Sequence, residues 1–539
     1  MSDSDRQFGT AAVGTTLVEV TDSDVDNELT NLEEAVAQQD WTRALAVVDG
    51  DWARLFYDGH ERFDRALRRI PLDRFRGHPC AMAVRDICIH SRHAGRVPEM
   101  SEVLERLAEV AAEGIGATGE LELMTSLRTA AAVAVAYRVR GEQEKAIQQA
   151  TVMETLGRAA IIHGIDAAMQ RFPSDLLQLG ITVGLAGDVP RAFALLQEAY
   201  ATAHWSTYKH VRRDVASKAA LLHALGGDLD RAQAWLETYR SEPMPAAGEW
   251  MARSLALTAD LAEAVVAIDR LDRPAAEAAV SRLAQPIDGE KGWNVLVSYA
   301  RARYALVWGD RQRGLEDLRE DLSRFAPFLR GAHTLRRLLV LAEGDLLLSL
   351  SRGNQLAGII RKDPDCFATE LLGARLALLR GRWDEASALA GKGMLRSTST
   401  RVRNELQMIQ TAALCELGDA AEMRRHCVQL SDSLAVTGSR WIPASIPARL
   451  RRAVAVRCGD TPLHVRDIFA EGVELVELTR SERDVLQNLV TGRTVPAAAA
   501  ELHLSPNTVK THLRSLYTKL GVNDRREMIA AAQAADLIN

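Results

Sequence analysis

Apolar residues recur at helical spacing through most of this chain, and glycine interrupts them at intervals of roughly 40 residues. In "VRGEQEKAIQQA", "LAGDVPRAFALL", "LGGDLDRAQAWL" and "LRGRWDEASALA" the same order repeats. A glycine closes one apolar stripe, a polar residue follows, and an alanine opens the next stripe. Weaker copies are "HAGRVPEMSEVL", "VWGDRQRGLEDL", "SRGNQLAGII" and "ELGDAAEMRRHC". The glycines are Gly95, Gly141, Gly187, Gly227, Gly309, Gly353, Gly381 and Gly418, and "LDRPAAEAAVSRL" near Asp272 fills the long gap before Gly309. Glycine ends a helix at low cost because it tolerates the left-handed conformation. An Asp-like residue then starts the next helix. A small alanine lets the second helix approach the first. Such pairs cannot bury their apolar faces alone, so the pattern predicts stacked helix pairs.

The last 60 or so residues carry a different pattern. Thr479 followed by Glu482 predicts a capped helix start. Val485, Leu486 and Leu489 form its apolar stripe, and Gly492 ends it. A second helix is expected over about Val495 to Leu502, with Pro496 in its first turn. Ser505 and Pro506 open a third, in which Val509, Leu513, Leu516 and Leu520 form the buried face. The opposite face holds Asn507, Lys510, Thr511, Arg514 and Thr518. Two short helices, a turn and a helix with one apolar and one basic-polar face make a helix-turn-helix, suited to a major groove about 12 Å wide. A last helix is expected over about Asp524 to Leu537.

Charge sharpens this expectation. The chain as a whole has 66 Lys+Arg against 72 Asp+Glu. Between Ser505 and Arg526, however, Lys510, Arg514, Lys519, Arg525 and Arg526 face the single acid Asp524. Screening limits distant charges to about 10 Å or less, so a local basic face keeps its reach. Lys510 and Arg514 suit guanine edges and Thr511 a thymine methyl. Asn507 and Thr508 stand at the helix start, where phosphate hydrogen bonds form, and His512 and Lys519 lie to one side along the expected phosphate path.

On Leu478-Thr479, Glu482, Val485-Leu486, Gly492, Thr508-Val509-Lys510, His512, Lys519-Leu520 and Arg525, this segment closely resembles the LuxR-type (FixJ/NarL-type) DNA-binding domain. The resemblance implies that Lys510, Thr511 and Arg514 face bases. It also implies dimeric binding to double-stranded promoter DNA and RNA polymerase as a partner. The sequence departs from that pattern at Ser481 and at Val495 to Ala499, and the missing Arg and Glu are expected to loosen the module's internal ion pair. The glycine-punctuated region, about Leu29 to Arg451, resembles tetratricopeptide-like repeats in the loose form of MalT-like regulators. This resemblance implies a region that senses a small-molecule inducer or a protein partner.

The expected fold is therefore all-α: an irregular tetratricopeptide-like α-solenoid followed by a small four-helix LuxR-type module. The boundaries read as an acidic disordered lead-in over residues 1–27, the repeat region over 28–455, a linker over 456–474 and the DNA-binding module over 475–539. The proline-containing stretch "GSRWIPASIPARL" marks a pause before the linker.

Other chemistry is excluded or weak. No membrane span or secretory signal is expected, and six scattered cysteines without C-x-x-C read as buried free thiols in a reducing cytoplasm. No phosphate-binding G-x-x-x-x-G-K-[ST] loop is present: "LAGKGM" lacks the first Gly and the Ser/Thr. The MalT-like ATPase is thus not expected, and neither is any cofactor, metal or enzymatic activity. Cys80, Cys88, His90 and His93 match no standard zinc spacing. Trp205, Tyr208, His210, Trp250 and Trp293 are the aromatic candidates for a ligand pocket in the array, though none is singled out. The function expected is a sequence-specific transcription regulator. The alternative is a helical-repeat adaptor whose helix-turn-helix serves packing or dimerisation.

Overall fold

The computed structural model describes residues 22–90, 119–244, 249–283, 291–363, 366–418, 420–459, 467–473, 475–535 and 537–538. Among these residues the fold is all-α, with no strand. Nine helical pairs can be traced among these residues, from Asp22–Ala37 with Trp41–Asp58 to Thr400–Leu417 with Ala420–Thr437; helices His60–Arg69 and Pro79–His90 stand between the first pair and the second.

One local device builds most of the pairs. The residue after the first helix takes a left-handed conformation, the next caps the second helix, and a small residue four positions later is buried against the first helix. Asp40, Asp188, Asp228, Asp272 and Asp310 are such caps, each accepting a hydrogen bond from a backbone N–H in the first turn. Ala44, Ala146, Ala192, Ala232, Ala276 and Ala386 occupy the small position and are fully buried. Glycine supplies the left-handed residue at Gly141, Gly187, Gly227, Gly381 and Gly418.

Two of the expected glycines do something else. Gly353 is the first residue of helix Gly353–Lys362, and Ser351 takes the turn conformation with φ 59°. Gly309 is absent from the left-handed region, and a Cβ there would press on the Ala305 backbone. Leu271 (φ 55°) and Gln39 (φ 59°) make the same turn without glycine. Gly95 lies outside the described residues.

The array folds back on itself. Carbonyls left unpaired at the ends of early helices are satisfied by much later residues. Thr334 Oγ1 donates to the Ala186 carbonyl at 2.8 Å. Arg401 donates to the carbonyls of Ala224 at 2.7 Å and Leu225 at 2.9 Å. The Arg440 N–H donates to the Asp269 carbonyl at 2.9 Å. Beneath these contacts lies a buried network of three arginines and three acids. Arg303 and Arg401 pair with Asp269 at 3.0 and 2.5 Å, and Arg375 bridges Asp345 and Glu405. Burial pushes the Asp345 carboxyl up to about 6, against the pull of Arg375.

Three expectations change. Helix Asp22–Ala37 starts inside the anticipated lead-in, and Val25 and Leu29 are buried there; packing of that apolar stripe outweighs the acidic composition. Residues 1–21 lie outside the described residues. The six cysteines are not all free: Cys427 and Cys458 form a disulfide between helices Ala420–Thr437 and Ala448–Cys458, with Cα atoms 5.1 Å apart. The other four are free and buried, and burial pushes the Cys80 thiol up to about 12. The anticipated linker is not a loose connector. Helix Ala448–Cys458 runs past its expected start, and Ile468, Phe469 and Val473 are buried in the array core. Phe469 lies under the Arg375 guanidinium at 5.2 Å and beside Trp441.

A second hydrophobic core contains Leu478, Val485, Leu486, Leu489, Val509, Leu516 and Met528, with no residue shared with the array core. It belongs to the last four helices, Arg480–Val490, Val495–Glu501, Pro506–Leu520 and Arg525–Ala534. No described helix is long and apolar enough to cross a membrane, and no group of potential metal ligands is found among the described residues. Cys80 and Cys88 are buried, while His93 lies outside the described residues.

Candidate nucleic-acid interface

The C-terminal module is fixed by caps at all four helix starts. Thr479 and Glu482 form the expected capping box: the Glu482 N–H donates to Thr479 Oγ1 at 3.2 Å, and the Thr479 N–H to Glu482 Oε2 at 2.7 Å. Thr494 caps Val495–Glu501, Ser505 caps Pro506–Leu520, and Asp524 caps Arg525–Ala534. The alanines that depart from the family pattern have a packing role. Ala498 and Ala499 are buried, so the second helix lies close to its neighbours without a bulky side chain between them. The turn before helix Pro506–Leu520 depends on His503, a non-glycine residue with φ 55°.

Helix Pro506–Leu520 has the two faces its sequence predicts. Val509 and Leu516 are fully buried, and Leu513 and Leu520 pack half-buried beside them. Asn507, Lys510, Thr511, Arg514 and Thr518 are exposed. Among the described residues the side chains of Lys510 and Arg514 form no ion pair, so both charges stay open to solvent. Thr511 Oγ1 donates to the Asn507 carbonyl at 3.0 Å, which ties the hydroxyl to the helix backbone. Thr508 is half-buried and its hydroxyl meets Ser505 Oγ at 2.8 Å; His512 is half-buried.

Lys519 is placed differently from the others. Its ammonium donates to Glu482 Oε2 at 2.7 Å and to the Glu477 carbonyl at 2.8 Å. Ser515 Oγ donates to the other Glu482 oxygen at 2.6 Å. Burial raises the Glu482 pKa, but the hydrogen bonds from Lys519, Ser515 and Thr479 outweigh it and hold the carboxyl at about 2. The module therefore has an internal ion pair, Glu482–Lys519, between residues that the departures at Ser481 and Val495 to Ala499 leave untouched. Arg525 is also internal, donating to the carbonyls of Leu489 and Arg493. Of the five basic residues in the segment, Lys510, Arg514 and Arg526 remain exposed without an ion pair among the described residues.

The module also touches the array. Glu477 accepts from Arg380 and Arg382, each at 2.6 Å, and the Val476 N–H donates to Asn354 Oδ1 at 3.2 Å.

Comparison with known proteins meets this same segment. Residues 476–532 match the family model described as bacterial regulatory proteins, luxR family. The "Probable transcriptional regulatory protein NarL" of Mycobacterium tuberculosis is 47% identical over 62 residues, 12% of this chain and 29% of that protein. The "Probable transcriptional regulatory protein SgaR" of Hyphomicrobium methylovorum is 46% identical over 82 residues, 15% of this chain and 39% of its own length. This chain thus spans about a third of the length of these relatives. No solved structure matches it. The "Spore germination protein GerE" of Bacillus subtilis is 38% identical over 52 residues, which is 70% of that protein. A match over most of so short a relative, on a segment whose capped helices and exposed basic face are described above, places this chain in the luxR family of bacterial regulatory proteins, through its C-terminal module.

Proposed function

We propose that the protein is a cytoplasmic, sequence-specific transcription regulator that binds promoter DNA as a dimer through residues 475–539. The helical array is the sensing part, a tetratricopeptide-like region that responds to a small molecule or a protein partner. One observation supports this reading above the others: Lys510 and Arg514 stand exposed, with no ion pair among the described residues, on the face opposite Val509 and Leu516. A helix kept only for packing gains nothing from two solvated cations on its free face, which weighs against the adaptor alternative. Asn507 and Thr508 hold phosphate at the helix start, Thr511 presents its methyl to a base, and His512 flanks the backbone. Lys519 acts through Glu482, by holding the recognition helix against the first helix of the module. RNA polymerase is the expected partner once the promoter is bound.

The test is a gel-shift and anisotropy titration of the full chain against genomic promoter fragments at several salt concentrations. Selective binding with a steep log–log salt slope is expected. R514A and K510A should each cost about 1–3 kcal/mol on the preferred fragment and relax preference at one base pair. Equal affinity for all fragments in the unmodified protein would refute the regulator reading.

A further inference from the structure

The bonded pair Cys427–Cys458 stands apart from the protein's other cysteines. Cys80, Cys88, Cys366 and Cys415 are free and buried. Burial pushes the Cys80 thiol up to about 12 and the Cys415 thiol above its ordinary value. Thiol chemistry runs through the thiolate, so buried thiols of this kind are inert. Cys427 is 6% exposed, but Cys458 is half-buried and is the last residue of its helix. Their Cα atoms, 5.1 Å apart across 31 residues of sequence, need no backbone movement to be bridged.

The bond joins a thinly packed helix to the one that leads toward the module. Helix Ala420–Thr437 has 18 residues, yet among its described side chains only Cys427, Leu430 and Thr437 are buried, and Val428 and Val436 are exposed. A helix with so little buried apolar surface needs another tie. Helix Ala448–Cys458, on the other side of the bond, holds residues 467–473. Arg451 donates to Asp467 at 2.7 Å, and the Arg449 N–H donates to Glu471 at 3.1 Å. Phe469, between those two acids, is buried beside Trp441, which lies inside the loop that the bond closes. Helix Ala448–Cys458 also has ties that do not pass through sulfur. Arg449 pairs with Glu416 at 3.0 Å, and Arg457 donates to the Cys415 carbonyl. Breaking the bond therefore loosens this end of the array without unfolding it.

We propose that Cys427 and Cys458 are a reversible redox site that sets how firmly residues 467–473 are held in front of the DNA-binding module. The oxidant is a small disulfide of the glutathione class. The Cys458 thiolate attacks one of its sulfurs, and one glutathione thiolate leaves. The Cys427 thiolate then attacks the Cys458 sulfur, the Cys427–Cys458 bond forms, and the second glutathione leaves. Two protein thiols are oxidised, one glutathione disulfide is reduced, and the two thiol protons pass to the departing glutathiones. Reduction runs the same steps backward, with a glutathione thiolate attacking at Cys458, the more exposed of the two residues. Disulfides of cytoplasmic proteins are characteristically transient, which makes this pair a switch and not a brace. The inference rests on the cytoplasmic reading for its reductant alone.

The experiment uses the full chain, reduced with dithiothreitol, desalted and equilibrated in glutathione buffers of graded reduced-to-oxidised ratio. Acid quenching, alkylation with N-ethylmaleimide and peptide mass spectrometry read the fraction of Cys427 bonded to Cys458. That fraction is expected to follow the glutathione ratio reversibly. Thermolysin cleavage before Ile468, Phe469 and Val473 should be about tenfold faster in the reduced protein. C427S and C458S should be cleaved at the reduced rate in every buffer. Should both variants fail to fold, the unmodified protein in its two redox states carries the test alone. The proposal is overturned if the pair stays unbonded in oxidised glutathione, or stays bonded in reduced glutathione as a permanent brace would. It is equally overturned if cleavage is the same in both states, or if the serine variants still respond to the buffer. No DNA enters these assays, so failure of the regulator reading shows separately in the promoter titrations. Glutathione is supplied in the tube, so an error in the cytoplasmic assignment leaves the outcome intact.

Discussion

Glu482 joins three parts of the module in one side chain. It accepts from the Thr479 N–H, from Ser515 and from Lys519, and so ties the start of the first helix to the recognition helix. Its carboxyl titrates at about 2 in the folded protein, against about 4.3 in an unfolded chain. A depressed pKa gives stability that is complete above the unfolded value and is lost as pH falls through the folded one. Amide hydrogen exchange of peptides within residues 478–520 should therefore accelerate between pH about 4 and about 2, once corrected for intrinsic rates. E482Q should flatten that dependence and cost about 1–3 kcal/mol at neutral pH, because Lys519 loses its counterion. An unchanged acid limb would show that the pair does not hold the module. His503 gives the opposite case. A non-glycine residue in the left-handed region costs about 1–2 kcal/mol, part of which glycine returns as unfolded-chain entropy. H503G should accordingly stabilise the module by about 0.5–1 kcal/mol in the same exchange assay, while a loss of protection would refute the strain argument.

At the level of elements, most of the fold follows from one turn. The order of left-handed residue, Asp cap and buried alanine is visible wherever glycine marks it, as in "LAGDVPRAFALL" and "LGGDLDRAQAWL". It is hidden where Gln39, Leu271 or Ser351 adopts the turn, because the neighbouring packing imposes a conformation that these residues do not advertise. The pairing of Cys427 with Cys458 and the docking of Phe469 were equally illegible, since both depend on segments brought together only by the fold. The recognition helix was legible because its two faces alternate within one element. What Lys519 does was not, since its partner stands 37 residues away in sequence. The array's glycines allow a comparison. Gly141 (φ +82°) and Gly418 (φ +81°) have the same backbone conformation. A Cβ on Gly141 would run into the Phe328 carbonyl of the short helix Ala326–Leu329, whereas at Gly418 nothing lies within 4 Å. G418A should cost about 1–2 kcal/mol from conformation alone. G141A should cost about 2–4 kcal/mol, since overpacking adds to the strain. Urea midpoints of the two variants decide this: equal losses would mean that the fold-back contact contributes nothing.

Across the whole molecule, the array and the module meet without sharing a core. Leu475 packs on the array and Val476 on the module, so the apolar contacts change sides between adjacent residues. Upstream of that point the chain is anchored, with Ile468, Phe469 and Val473 buried and the Val473 N–H donating to the Leu379 carbonyl at 3.2 Å. Downstream, the tie is chiefly Glu477. Its carboxylate holds Arg380 and Arg382 on the array while its carbonyl holds Lys519 of the recognition helix. Hydrogen bonding from Arg380, helped by Arg382, keeps the Glu477 carboxyl below the usual range. Burial, and then the like charge of Arg483 on the module, push the Arg361 guanidinium down. Exposed ion pairs contribute about 0–1 kcal/mol each and weaken with salt. The polar contacts between array and module are therefore weak and sensitive to salt. Thermolysin cleavage of the full chain near Val476 and Leu478 measures their opening, because cleavage follows the open population when closing is fast. E477Q should speed it about fivefold, which is about 1 kcal/mol, and raised salt should do the same to the unmodified protein. The Glu477 pKa is depressed, so its hold is complete above about 4.3 and cleavage should also rise as pH falls below that value. The melting temperature of the array should not move in E477Q, because the anchoring residues up to Val473 are untouched. If cleavage is insensitive to charge, salt and pH alike, the module is held by something other than Glu477, and control of DNA binding has to be sought within the module itself.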